Sequence, residues 1–137
     1  MSSDEYKALV LRYLDQIQTK HNLDVLDQFL SAGITDHTAP PGAPKGIDAS
    51  RQFFKALFRA FPDMRPVVHD QAVEGNKVWT YKTMKGTHLG EYMGIAPTGK
   101  TIEYAVIDIV RIQAGRITDH WAVGDRLSLM KQLGLVS

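Results

Sequence analysis

The stretch GIAPTGKTIEYAVIDIVRI, Gly94 to Ile112, decides the fold. Its first eight residues, Gly94 to Thr101, match the phosphate-cradling pattern G-x-x-x-x-G-K-[ST] letter for letter. A working loop of that kind leads from a buried parallel strand into a helix, whose N-terminal amides and dipole hold the phosphates. Here Lys100 and Thr101 run into a segment crowded with Ile and Val, which is strand composition, and no strand–helix–strand unit surrounds it. Gly94, Pro97 and Gly99 therefore read as turn chemistry between two strands, and no nucleoside triphosphate site is expected.

Downstream and upstream of this segment the texture is the same. RPVVHDQAVEG (65–75), KVWTYKTMKGTH (77–88), KTIEYAVIDIVRI (100–112) and GRITDHWAV (115–123) are rich in β-branched and aromatic residues. The tight-turn punctuation EGNK and QAGR makes them consecutive antiparallel strands. The N-terminal half is helical instead. Ser2 and Glu5 have capping-box spacing, and Tyr6, Leu9, Val10, Tyr13, Leu14 and Ile17 recur on one helical face. Asn22 is placed to cap a short second helix carrying Leu23, Leu26, Phe29 and Leu30. Prolines and glycines make SAGITDHTAPPGAPKG (31–46) irregular, with one short strand around Ile34. A third helix presents Phe53, Phe54, Leu57, Phe58 and Phe61 before Pro62 stops it, and a last helix ends at Gly134. Helices followed by a strand meander imply an α+β fold, a curved antiparallel sheet with helices on its concave side.

At 137 residues one domain over 1–137 is expected. Sixteen basic and fifteen acidic residues nearly balance, without blocks of like charge, which argues against nucleic-acid or membrane-surface partners. The chain has no cysteine, which excludes a disulfide frame, a thiol nucleophile and a Cys-based zinc site. The acidic start MSSDEYKALV is unlike a signal peptide, and a cytoplasmic protein is expected.

Function is sought where polar residues break the apolar alternation. One face of TIEYAVIDIVRI reads Ile102, Tyr104, Val106, Asp108, Val110, Ile112, with Asp108 its sole charge. A buried carboxylate needs a partner or a raised pKa. A three-residue QAGR loop with Gly115 left-handed sets Ile112 opposite Arg116 and Asp108 opposite His120. A two-residue loop sets Asp108 opposite Trp121 and loses the pair. The first is favoured because Ala114 suits a positive φ poorly. A structural His–Asp hydrogen bond is the competing reading. The other histidines show no metal-ligand spacing, so no metal is expected. His37 could fold over a pocket mouth, His88 sits among glycines, and His21 and His69 read as surface or edge residues. Asp125 either caps the last helix or ends the His120 strand at the site.

Together AFPDM (60–64), GTHLGEYMGIAPTGK (86–100), IDIVRIQAGRITDHWAVGD (107–125) and LMKQLG (129–134) resemble, in order and spacing, the SnoaL-like polyketide cyclases, also called ester cyclases. The resemblance covers nearly the whole chain. It implies a cone-shaped α+β barrel shared with ketosteroid isomerase and nuclear transport factor 2, with about three helices against a bent sheet around an apolar pocket. It also implies chemistry without cofactor or metal, the intramolecular aldol closure of an aromatic polyketide methyl ester, using an acid with a nearby His. Asp108 and His120 match that pair in type and strand. One would then be the base and the other its partner, with His37 or His88 steadying an oxyanion. Tyr13, Phe54, Phe58, Trp79 and Trp121 would wall a flat, hydrophobic substrate, and Asp108→Asn would remove turnover with folding intact. A hydrolase or isomerase on the same scaffold, or a non-catalytic binder of a small apolar ligand, are the alternatives. A homodimer or homotetramer formed through the open sheet face is expected.

Overall fold

The computed structural model describes residues 1–137. Helix α1, Ser3–Tyr13, begins at the capping box: Ser2 Oγ accepts from the Glu5 amide and Glu5 Oε1 accepts from the Ser2 amide, each at 3.1 Å. Its buried Leu9, Val10 and Tyr13 follow the helical period. The chain then widens into a π-helical turn, Leu14–Thr19, in which Leu14, Ile17 and Gln18 are buried. Bonding from i to i+5 brings residue 18 back over residue 13, so Gln18 joins the face that Tyr13 begins.

The second helix is a short 3₁₀ segment, Leu23–Gln28. Asn22 precedes it but makes no capping bond, and its side chain reaches Gln16 at 3.5 Å. Leu30 belongs to strand β1, Leu30–Asp36, rather than to that helix. Helix α2, Gly46–Ala60, buries Phe54, Leu57 and Ala60, while Phe53 lies off the apolar stripe and is exposed. Four strands follow: β2, Arg65–Glu74; β3, Lys77–Thr87; β4, Thr101–Gln113; β5, Arg116–Gly124. Helix α3, Arg126–Gln132, ends the fold.

The five strands form one curved sheet in the order β1-β5-β4-β3-β2. Strands β2 to β5 are an antiparallel meander, but β1 joins the edge parallel to β5. In the 94–101 segment Met93 and Gly94 take positive φ between Tyr92 and Ile95, which exchange two backbone hydrogen bonds; Thr101 simply opens β4. The triphosphate motif is a turn. Gly90 is needed for a different close approach, since a Cβ there would sit 2.2 Å from the Arg59 carbonyl oxygen at the end of α2.

The inner face of the sheet carries two apolar clusters. Val78, Val110, Ile112 and Ile117 pack with α1 and Phe54, whereas Met84 and Ile102 pack with Phe61, Met64, Leu129 and Leu133. Between them on β3 and β4 lies a polar band of Thr80, Lys82 and Asp108. The outer face presents Trp79, Ile109 and Trp121 as one cross-strand row and Tyr81, Ile107 and Val123 as the next. No helix is long and apolar enough to cross a membrane.

Candidate functional site

The turn before β5 determines which side chains reach the polar band. It is the two-residue form, with Ala114 and Gly115 at φ of 50° and 76°, so Gln113 faces Arg116 and Ile112 faces Ile117. The three-residue expectation is thereby corrected. A β-bulge follows at once: Arg111 pairs with Asp119, leaving Thr118 surplus. That extra residue restores the parity the shorter turn had reversed. His120 lies opposite Val110, and Asp108 lies opposite Ala122 rather than opposite His120 or Trp121. The two side chains meet diagonally on the inner face, with Nε2 of His120 3.0 Å from Oδ1 of Asp108.

Lys82, from the adjacent strand, donates to Oδ2 of Asp108 and, at 2.8 Å, to Oε1 of Gln18. On the opposite side, Nδ1 of His120 lies 3.2 Å from Oδ1 of Asp36, its partner in the parallel β1–β5 register. A continuous line of polar groups thus runs Gln18–Lys82–Asp108–His120–Asp36. Side-chain exposure rises along it, from 3% at Lys82 to 16% at Asp108, 29% at His120 and 46% at Asp36. The buried end is dry and the other meets solvent.

Electrostatics follow from this order. Burial raises the Asp108 carboxyl, but the Lys82 ammonium and the His120 donor outweigh it and hold the group well below the usual carboxylate range. Burial alone would depress His120; its hydrogen bonds to Asp108 and Asp36 overcome this and raise it to about 9. Asp36 is lowered, chiefly by the His120 hydrogen bond. Burial raises the Tyr13 phenol, with the Asp108 and Asp36 charges adding to the effect, so Tyr13 stays neutral beside the site. At neutral pH the line reads cation, anion, cation, anion. No group of three or more His, Asp or Glu side chains has the arrangement of a metal site.

The remaining expected residues divide. Phe54 is core, stacked at 5.6 Å on Phe58, whose ring also stacks at 3.7 Å on His21. Trp79 and Trp121 are not walls of this band, because alternation puts both on the outer face. His37 does not cover the site either. It stacks on Trp121 at 4.3 Å and bonds Asp119 at 2.8 Å, on that same outer face. His88 is fully buried in the second cluster beside Phe61; Nδ1 accepts from the Thr98 amide at 3.2 Å, and Nε2 has no partner. Asp125 caps α3, accepting from the Ser128 amide at 3.0 Å.

Lys82, Gln18 and Asp36 are the members sequence reasoning missed. The signal for Lys82 was present: Val78, Thr80, Lys82 and Met84 form an inward row with one charge, the pattern that exposed Asp108. Gln18 was hidden because an ordinary α-helix turns it off the Tyr13 face, and Asp36 because it ends a strand in a Pro- and Gly-rich stretch. Two open recesses, of about 220 and 510 Å³, include neither Asp108 nor His120 in their linings.

Comparison with known proteins agrees with this architecture. TsrD from Streptomyces laurentii superimposes with a TM-score of 0.89 at 25% identity, covering 99% of each chain. The aklanonic acid methyl ester cyclase DauD of Streptomyces sp. (strain C5) is 26% identical over 130 residues, 92% of this chain and 80% of that protein. The aklanonic acid methyl ester cyclase DnrD of Streptomyces peucetius is 25% identical over 130 residues, 92% of this chain and 88% of that protein. The family model for SnoaL-like polyketide cyclases matches residues 8–133, and the chain belongs to that family.

Proposed function

We propose that the protein closes a ring in a small aromatic polyketide ester by an intramolecular aldol reaction, with Asp108 as base and His120 as acid. The observation carrying this reading is a mostly buried carboxylate held between a Lys and an imidazole, in a polar band flanked by two apolar clusters. The relatives named as methyl ester cyclases support the substrate class.

In this mechanism the substrate carbonyl accepts a hydrogen bond from Nε2–H of His120, which turns away from Asp108 to make it. Asp108 loses a donor and becomes more basic, then accepts the proton from the carbon between two carbonyls. The C–H electron pair becomes the enolate, whose charge is stabilised by the nearby Lys82 and imidazolium. The enolate carbon attacks the second carbonyl carbon, a C–C bond forms, and the new alkoxide takes a proton from His120. The ring closes without change in mass. Holding the enolate carbon and the second carbonyl of one molecule together makes the attack intramolecular.

The test is incubation with aromatic polyketide methyl esters, ring closure being followed by absorbance and retention time at constant mass. Closure by the wild type and its loss in both Asp108→Asn and His120→Gln are expected; full activity in Asp108→Asn rejects the role of the base. The same reading includes a cytoplasmic homo-oligomer. The outer rows of Trp79, Tyr81, Ile107, Ile109, Trp121 and Val123 are the face offered for self-association, and Val123→Glu would shift the mass in light scattering toward the monomer.

A further inference from the structure

We propose that Asp36 is a positioning residue, which holds the imidazole of His120 doubly protonated and aimed at Asp108. This role deepens the acid assigned to His120 above and rests on that reading.

The geometry leaves His120 little choice. One ring nitrogen faces Asp108 at 3.0 Å and the other faces Asp36 at 3.2 Å, and both partners are carboxylates. An ionised carboxylate only accepts, so each nitrogen must carry a hydrogen for both bonds to exist. A ring with one carboxylate partner holds its second proton less firmly and more readily becomes a neutral imidazole with a free lone pair, a competing base rather than an acid. Asp36 removes that alternative.

Asp36 is itself fixed from β5. Its Oδ1 accepts from the Thr38 amide and from Thr38 Oγ1, both at 3.1 Å, and Oγ1 in turn accepts from the Ala122 amide at 3.1 Å. Ala122 is the residue opposite Asp108. The chain after β1 is therefore pinned to the strand that carries His120, and the His37 amide donates to the His120 carbonyl at 2.8 Å. After ring closure the proton held on Asp108 returns to His120 across their 3.0 Å contact, so the pair is reset without exchange with solvent. The charged groups in contact with His120 are Asp36 from β1 and Asp108 from β4; Lys82 from β3 reaches the other oxygen of Asp108, and the Tyr13 phenol of α1 feels both carboxylates.

The test pairs an NMR titration of the His120 ring with the pH profile of turnover, in the full chain. Asp36→Asn keeps an acceptor and removes the charge. It is expected to lower the His120 midpoint by about one unit or more, and to cut kcat about tenfold with KM nearly unchanged, moving the alkaline limb of the profile to lower pH. Asp119→Asn, on the other face of the same strand, leaves the midpoint where it was. Thr38→Val shifts it less than Asp36→Asn in the same direction, and serves if Asp36→Asn does not fold. An unmoved midpoint in both variants, or a lower kcat with an unmoved profile, overturns the proposal. A wild type inert on polyketide esters, with the midpoint still moving, rejects the cyclase reaction and upholds the Asp36–His120 coupling.

Discussion

Strand β5 carries two histidine–aspartate pairs on its two faces, and their bond lengths hardly differ. Outside, His37 and Asp119 meet at 2.8 Å beside Arg111 and Trp121. Inside, His120 and Asp108 meet at 3.0 Å, backed by Lys82 and Gln18 and continued by Asp36. The outer pair has its imidazole 37% exposed, against 29% for His120, and no buried charge behind it, so it resembles a surface ion pair, worth little. The inner pair sits between two apolar clusters, where each charge depends on the next. A hydrogen bond between the right residue types is common; the surroundings turn one into chemistry.

The contrast can be broken most sharply by charge removal. Asp108→Asn is expected to lower turnover about 10²- to 10⁴-fold, while Asp119→Asn leaves it unchanged within error; equal losses would erase the distinction between the faces. The same variant leaves the buried Lys82 ammonium with Gln18 and an amide oxygen in place of a carboxylate, so the intact folding expected from the sequence is checked by circular dichroism beside turnover. Lys82→Met, which strands Asp108, should cost about 3–5 kcal/mol in urea unfolding, against less than about 1 kcal/mol for Arg111→Met on the outer pair. Combining Lys82→Met with Asp108→Asn should recover much of the stability lost by the first.

Proton linkage sharpens the comparison further. His120 is raised from its ordinary 6.5 to about 9, so its contribution is complete below about pH 6.5 and is lost as pH rises through about 9. Unfolding measured from pH 6 to 10 should show a loss of about 3 kcal/mol in the wild type that is missing from His120→Gln. Asp36 and Asp108 act at the other end: both are lowered, and their contribution disappears as pH falls below the ordinary carboxylate range. The smallest effect belongs to the turn that precedes both pairs. Ala114 holds a φ of 50°, and Ala114→Asn, better suited to that geometry, should stabilise by about 0.5–1 kcal/mol without altering either pair.

Local rules were legible because they need only neighbours along the chain. The capping box at Ser2, the stop at Pro62, the four strands of the meander and the lone charge at Asp108 all follow from spacing. What stayed hidden depends on residue counts that no spacing rule supplies. Ala114 accepts strain to close a shorter turn, and the surplus Thr118 then reverses the consequence, so the right pair was expected from the wrong loop. The tryptophans went astray because aromatic residues suit either face of a sheet, and only the register decides between them. Lys82 required applying to β3 the alternation test used on β4.

Thr118 is also a point where length outweighs chemistry. Removing that one position, with every other letter unchanged, would send Asp119 inward and His120 outward together. Relatives should therefore be matched across this hairpin by counting odd and even places from the glycine, because a chain with the same letters and one fewer of them carries its imidazole on the back of the sheet.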